Sequence, residues 1–343
     1  MRVFFSIILA GLLLIVSAYI QTTDASDNIL TDSLVQKASS TDSIPVVRTV
    51  DSLSYYRKLA SLANGDTTGK WPIKPQTLPL QGALLPQHRI VAYYGNLYSA
   101  HMGILGEYPP QEMLKRLDAE VKKWNEADSS TLAIPALHYI AVTAQSSPGK
   151  DGKYRLRMPD KQIDSILNIA KLRPSMLVFL DIQVALSTLQ DEIPRLEKYL
   201  KMPQVHLGID PEFSMKDGSK PGTRIGSLHA EDVNYASGYL ARLVQEYHLP
   251  PKMLVVHRFT KDMVKQTPQI TLRQEVQLIM DMDGWGPPAL KKATYNSFIY
   301  REPVQFTGFK LFYKNDLKQT PKRMLTPKEV LELKPMPSYI QYQ

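Results

Sequence analysis

From Arg89 onward, short apolar runs alternate with amphipathic stretches, a rhythm typical of strand–helix units around a parallel sheet. The apolar runs predict eight strands, at residues 89–96, 132–138, 176–183, 205–212, 252–259, 276–283, 305–313 and 338–343. Apolar residues at helical spacing predict the intervening helices, at residues 110–126, 160–172, 190–200, 229–247, 287–298 and 326–333. Eight such units over about 255 residues predict an α/β fold, a single (β/α)8 TIM-like barrel.

A doubly wound parallel sheet is the competing fold. Such a sheet usually carries a glycine-rich phosphate-binding loop after its first strand. Gly95, Gly103 and Gly106 follow the first predicted strand, but their spacing is not GxGxxG. The barrel is therefore the preferred prediction, and no cofactor is expected.

The chain before the barrel has two parts. Residues 3–20 form an apolar run after Arg2, which predicts an export signal cleaved near Ala18, with a retained membrane anchor as the alternative. Residues 21–86 are first rich in Ser, Thr and Asp and then in Pro, which predicts a flexible tether with a short helix at residues 50–64. The barrel domain is assigned to residues 87–343, and the protein is expected in the periplasm or outside the cell.

Composition narrows the functional classes. The net charge is +8, but no basic cluster or aromatic-interleaved basic stripe is present, so nucleic-acid binding is not expected. The chain contains no cysteine, which excludes disulfides, thiol catalysis and the lipid-modified cysteine of a bacterial lipoprotein. We expect a monomer.

Active sites of barrels lie at the carboxyl ends of the strands, and many predicted strands end in polar residues. The candidate substrate-binding residues are Tyr94, Asn96, His138, Gln183, His257, Asp281, Asp283, Trp285 and Lys310. Trp285 is a candidate either for stacking on a sugar ring or for covering the barrel end. Lys310 is expected to pair with one of the acids, as a structural ion pair or as a ligand contact. The structural alternatives are helix capping for the aspartates and a core position for His257.

The strongest chemical signal is the segment QVHLGIDPEF at residues 204–213. Alternation along a strand puts Asp210 and Glu212 on one face, and Pro211 favours extended geometry between them. Paired carboxylates at a strand end suit acid/base cleavage of a glycosidic bond. Glu212 would be the acid, its pKa raised by acidic neighbours, while Asp210, Asp181 or Asp283 would serve as nucleophile, base or stabiliser.

Other chemistries are less well supported. No HxH or HExxH pair occurs, so a His-built zinc site is not expected, and no GxSxG nucleophile elbow is present. An oxygen-only Mg²⁺ or Ca²⁺ site on Asp181, Asp210, Glu212 and Asp283 would suit a phosphodiesterase. A non-catalytic carbohydrate-binding or envelope scaffold barrel is the other alternative.

Asp210-Pro211-Glu212 resembles the D-x-E of barrel glycoside hydrolases such as family 18 chitinases and family 25 lysozymes. The resemblance implies that Glu212 is the general acid and that Asp210 assists it or a substrate acetamido group. The fuller DxxDxDxE pattern of family 18 is absent, because Val205 and Gly208 occupy the two earlier positions.

More widely, most of residues 89–343 is similar to an uncharacterised family of exported bacterial barrel proteins. The similarity is carried by AYYGN, GILGE, LDIQ, GIDPEF, VVHRF, DGWG and GFKLFY. It implies the barrel fold more firmly than any activity. Together these features predict an exported glycoside hydrolase acting on an envelope or extracellular carbohydrate polymer.

Overall fold

The structure is a computed structural model that describes residues 50–73 and 77–343. The predicted export signal at residues 1–20, and the tether up to residue 49, lie outside the described residues. Within the described ranges, no helix combines the length and apolarity needed to cross a membrane.

Eight parallel strands close into a barrel, which confirms the predicted fold class. They are β1 (Arg89–Gly95), β2 (Ala133–Ala144), β3 (Leu177–Ile182), β4 (Val205–Ile209), β5 (Lys252–Arg258), β6 (Val276–Met282), β7 (Phe306–Leu311) and β8 (Tyr339–Tyr342). Each strand pairs in parallel with the next, and β8 pairs with β1, for example Ile90 with Tyr339. The sheet therefore has no open edge among these eight strands.

The described residues contain eight helices, of which the first precedes β1 and the other seven lie in the connections between strands. They are α1 (Ser52–Ser61), α2 (Pro110–Ala127), α3 (Asp160–Ala170), α4 (Leu189–Glu192), α5 (Glu197–Leu200), α6 (Ala230–Glu246), α7 (Pro288–Tyr295) and α8 (Pro327–Leu331). A short strand at Arg155–Arg157 adds antiparallel to β2, and Leu228–His229 pairs with Val264–Lys265 away from the barrel. The eight helices lie at the seven predicted positions, because the helix predicted at residues 190–200 is broken into α4, a 3-10 turn and α5.

Successive residues of each strand face opposite sides of the barrel wall. Val91 and Tyr93 of β1 face outward and pack with apolar residues of α2, such as Leu117. Ile90 and Ala92 belong instead to a second cluster that fills the lower part of the interior. Both faces of these strands are thus buried, which explains why the sequence shows continuous apolar runs.

Helix α1 covers the amino-terminal end of the barrel. Its residues Tyr55 and Leu59 join the same apolar cluster as Phe306, which begins β7 inside the barrel. The Asn64 side chain, just after the helix, donates to the backbone carbonyls of Leu331 and Leu333 at 2.9 Å. The helix predicted at residues 50–64 therefore closes the barrel floor, a role that the sequence alone did not indicate.

Two strand ends differ from the prediction. β2 continues to Ala144, six residues beyond its predicted end at 138, because its later residues pair with β3 and with Arg155–Arg157. β4 stops at Ile209, because Pro211 opens a 3-10 turn at Pro211–Phe213 rather than extending the strand. The expectation that Asp210 and Glu212 share one strand face is therefore wrong.

Candidate functional site

The inward face of the barrel changes from apolar to polar towards the carboxyl ends of the strands. Two residues beyond Phe179, Val255 and Ile279 of the apolar interior come Asp181, His257 and Asp281. All three polar residues are fully buried. The polar layer also contains Tyr94, His138, Gln183, Asp210, Asp283, Lys310, Tyr339 and Gln341, each with 9% or less of its surface exposed.

Asp181 lies at the centre of this layer. Its Oδ2 accepts a hydrogen bond from the Tyr94 hydroxyl at 3.0 Å. Its Oδ1 lies 3.4 Å from Nε2 of His138 and 3.5 Å from Nε2 of His257. Burial alone would raise the pKa of Asp181, but the charge of His257 and the contacts with both imidazoles hold it well below its usual range. Asp181 is therefore a buried carboxylate.

The two histidines in contact with Asp181 differ in charge. Burial alone would lower the pKa of His257, but Asp181 and the contacts of its Nδ1 with Asp281 and Asp283, both at 3.3 Å, raise it well above its ordinary value. Burial lowers the pKa of His138 to about 4, against the opposing effect of Asp181. The layer therefore pairs an imidazolium at His257 with a neutral imidazole at His138 at neutral pH.

Two glycines make room for these buried acids. A Cβ atom at Gly208 of β4 would overlap Asp181 Oδ1 and lie 2.5 Å from His138 Nε2. A Cβ atom at Gly308 of β7 would overlap Asp281 Oδ1. Sequence reasoning missed both positions, although a glycine inside a strand pattern signals a close approach of other groups.

Asp210, at the edge of this layer, and Glu212 both belong to the turn that follows β4. Asp210 accepts from Gln183 Nε2 at 3.1 Å and from the backbone amide of Glu212 at 3.0 Å. Burial raises the pKa of Asp210 to about 7, with Asp283 adding to the effect and His257 opposing it. Glu212 is half-buried, and burial together with the charges of Asp210 and Asp283 raises its pKa to about 8. Glu212 is therefore a protonated acid at neutral pH that still reaches solvent.

Two other candidates make contacts away from the buried acids. Asn96 uses its amide structurally, donating to the Ile140 carbonyl and accepting from the Tyr98 amide. Trp285 is 42% exposed in the loop between β6 and α7, with the Lys318 ammonium 5.4 Å from its ring centre. Neither contact reaches the buried acids.

Lys310 does not pair directly with an acid. Its Nζ lies 3.8 Å from the centre of the Tyr94 ring, and no carboxylate oxygen of the described residues comes within the 4.0 Å of an ion pair. The expected ion pair is therefore wrong. The reason is that Tyr94 covers the lysine and offers the face of its ring instead.

A surface cavity of about 540 Å³ lies elsewhere, beside α7. It is lined by Lys292, Asn296, Tyr300, Arg301, Glu332, Leu333 and Lys334. It contains none of the polar residues of the barrel interior. Among Asp181, Asp210, Glu212, Asp281 and Asp283, Glu212 is the one that is not buried.

Comparisons with known proteins place the chain in no family. No protein-family model matches the chain, and no curated protein matches it. Among solved structures, the chain is similar to the crystal structure of a ruminal GH26 endo-β-1,4-mannanase, with a TM-score of 0.31 and 11% sequence identity. The match covers 74% of this chain and 58% of the mannanase chain, so the chain spans less than two thirds of that enzyme. No family assignment follows.

Proposed function

We propose that this protein is an exported glycoside hydrolase that cleaves a carbohydrate polymer of the envelope or the extracellular space, with Glu212 as general acid. The observation that carries the proposal is the position of Glu212, half-buried at the carboxyl ends of the barrel strands and close to Asp210 and Asp283. This is the end of a barrel where catalytic groups are placed. Export rests on the apolar run at residues 3–20.

A general acid for glycoside cleavage must hold its proton near neutral pH and release it to the leaving oxygen. Burial and the negative charges of Asp210 and Asp283 supply this property to Glu212, since both disfavour its ionised form. Asp210 is held by Gln183 and by the turn itself, so the acidic neighbour of Glu212 has a fixed position.

Asp283 is the best partner carboxylate for Glu212. Its Oδ2 faces the imidazole of His257 at 3.3 Å, whereas its Oδ1 has no hydrogen-bond partner among the described residues. Such a carboxylate can stabilise a developing oxocarbenium ion, attack it, or activate water. Asp181 is fully enclosed, so in this proposal it positions His257 instead of touching substrate.

Substrate would approach over the exposed face of Trp285. This ring lies two residues beyond Asp283, at the same end of the barrel. An exposed aromatic ring beside acidic groups suits stacking on a sugar ring, since it combines an apolar face with polar neighbours.

The proposal predicts that the wild-type protein releases new reducing ends from at least one member of a panel of envelope and extracellular polysaccharides. Because Glu212 must be protonated to act, kcat/KM should fall as the pH rises through about 8, approaching about tenfold per pH unit. A reducing-end assay across a pH series measures both.

Three results would contradict the proposal. Binding to a polysaccharide without turnover would favour the non-catalytic scaffold. Turnover of a phosphodiester in place of any polysaccharide would favour the phosphodiesterase. A value of kcat/KM that keeps rising above pH 9, about one unit above the pKa expected for Glu212, would exclude Glu212 as the protonated acid.

A further inference from the structure

Three buried side chains from separate strands each have an atom without a hydrogen-bond partner, and ligand atoms of the three side chains lie within 4.8 Å of one another. These atoms are Nε2 of His138 on β2, Oδ1 of Asp181 on β3 and Nε2 of His257 on β5, judged among the described residues. Asp181 Oδ1 lies 3.4 Å and 3.5 Å from the two nitrogens. In a tetrahedral site with bonds of about 2.1 Å, neighbouring ligand atoms are about 3.4 Å apart.

The opposite nitrogen of His257 faces carboxylates. Nδ1 lies 3.3 Å from Oδ2 of Asp281 and 3.3 Å from Oδ2 of Asp283. Binding of a metal ion would displace the Nε2 proton of the His257 imidazolium, while the two carboxylates keep the proton on Nδ1. This carboxylate–histidine arrangement recurs around protein-bound zinc and orients His257 Nε2 towards Asp181.

The other two side chains are held in the same way. The hydroxyl of Tyr94 donates to Oδ2 of Asp181 at 3.0 Å, which leaves Oδ1 as the inward atom. Nδ1 of His138 lies 2.6 Å from the hydroxyl of Tyr339 and 3.1 Å from the amide nitrogen of Gln341. When the Tyr339 hydroxyl accepts the Nδ1 proton, Nε2 keeps its lone pair. Each of the three inward atoms is therefore backed by a partner on the outward atom of the same group.

The space beside these atoms depends on Gly208. A Cβ atom there would overlap Asp181 Oδ1 and lie 2.5 Å from His138 Nε2, so both atoms border the place that a larger residue would fill. The surroundings are also rich in acid, because Asp281 and Asp283 flank His257 while Lys310 lies over the ring of Tyr94. Buried carboxylates are stable when they are paired or bind a cation.

We propose that the barrel interior binds one divalent transition-metal ion between His138 Nε2, Asp181 Oδ1 and His257 Nε2. Two imidazole nitrogens and one carboxylate oxygen suit Zn²⁺, Co²⁺ or Fe²⁺, whereas Mg²⁺ and Ca²⁺ prefer oxygen ligands alone. The site differs from the oxygen-only set considered from the sequence, and it goes beyond the proposed glycosidase activity. The ion would lie on the Nε2 side of His257, opposite the Nδ1 side that faces Asp281 and Asp283.

The first test is binding of Zn²⁺ and Co²⁺ to the chelator-treated full chain, measured by isothermal titration calorimetry and elemental analysis. We expect one ion per chain, and Mg²⁺ should not compete. The Asp281→Asn variant, which changes an outer partner, should weaken Zn²⁺ binding by about 10–100-fold, and His257→Asn should weaken it further. His101→Ala removes an exposed histidine and should leave the affinity unchanged.

A second measurement does not depend on how the variants fold. X-ray absorption of the zinc-loaded wild type should show two imidazoles in a shell of four ligands at about 2.0–2.1 Å. The proposal would be overturned if Zn²⁺ and Co²⁺ failed to bind, or if the ligand shell contained oxygen alone. It would also be overturned if His101→Ala lost binding while His257→Asn kept it. Glu212→Gln should bind Zn²⁺ like the wild type, so metal binding and glycosidase activity are tested separately.

Discussion

Replacing Glu212 with glutamine is expected to lower kcat on the responsive polysaccharide by about 10²–10⁴-fold. The amide has nearly the same shape as the protonated carboxyl group, but it cannot give a proton to the leaving oxygen. Binding of the polysaccharide should persist, because the neighbouring groups Asp210 and Trp285 are unchanged. Steady-state kinetics and affinity electrophoresis on the same polymer separate the two effects.

The matched control is Glu126→Gln, which makes the same chemical change at an exposed position of α2. We expect it to retain wild-type kinetics. Equal turnover by Glu212→Gln and Glu126→Gln would show that Glu212 is not the acid, whatever the substrate.

The Glu212→Gln variant should also change how the free energy of unfolding depends on pH. The folded state raises the pKa of Glu212 to about 8 through burial and neighbouring acids, so it binds this proton more tightly than the unfolded chain does. The resulting stabilisation is complete below the ordinary pKa of glutamate and is lost as the pH rises through about 8. As the pH rises from 5 to 8, between these two pKa values, the free energy of unfolding should therefore fall less in Glu212→Gln than in the wild type.

Replacing Asp316 with alanine is expected to lower the free energy of unfolding by about 3–5 kcal/mol. Asp316 is fully buried after β7, and its carboxylate lies 2.9 Å from the ammonium of Lys291 on α7. It also accepts from the backbone amides of Gly286 and Phe312, both at 3.0 Å. Burial lowers the pKa of Lys291 to about 8 while Asp316 opposes this effect, so the variant would leave a buried cation and two buried amides without their acceptor.

Chemical denaturation at pH 7 measures this loss. Asp217→Ala is the control, because Asp217 also pairs with a cation, Arg224 at 2.6 Å, but both side chains are exposed. Exposed ion pairs contribute about 0–1 kcal/mol, so the control should stay close to the wild type. Similar losses in the two variants would mean that the buried pair at Lys291 does not stabilise the loops after β6 and β7.

The barrel could be predicted because its strands are buried on both faces. A run such as residues 176–183 is apolar until it reaches Asp181, and eight runs of this kind at regular spacing leave few other folds. The strand ends were less predictable. β2 extends to Ala144 because other segments pair with it, and no local pattern distinguishes a paired extension from a loop.

The acids of the candidate site could also be located from the sequence, because strand ends of a barrel converge. The contacts that these acids make could not be predicted from the sequence. His138 and His257 have no metal-binding spacing along the chain, and they meet only because closure of the barrel brings β2 and β5 to the same side chain, Asp181. Lys310 looks like an ion-pair partner in the sequence, but Tyr94 covers it in the fold.

Helix α1 and the candidate acid Glu212 lie at opposite ends of the barrel. Its residues Tyr55 and Leu59 seal the amino-terminal end of the barrel, whereas Glu212 lies at the carboxyl end. The chain therefore enters the barrel on the side opposite its acids. Helix α1 therefore leaves the mouth of the barrel uncovered.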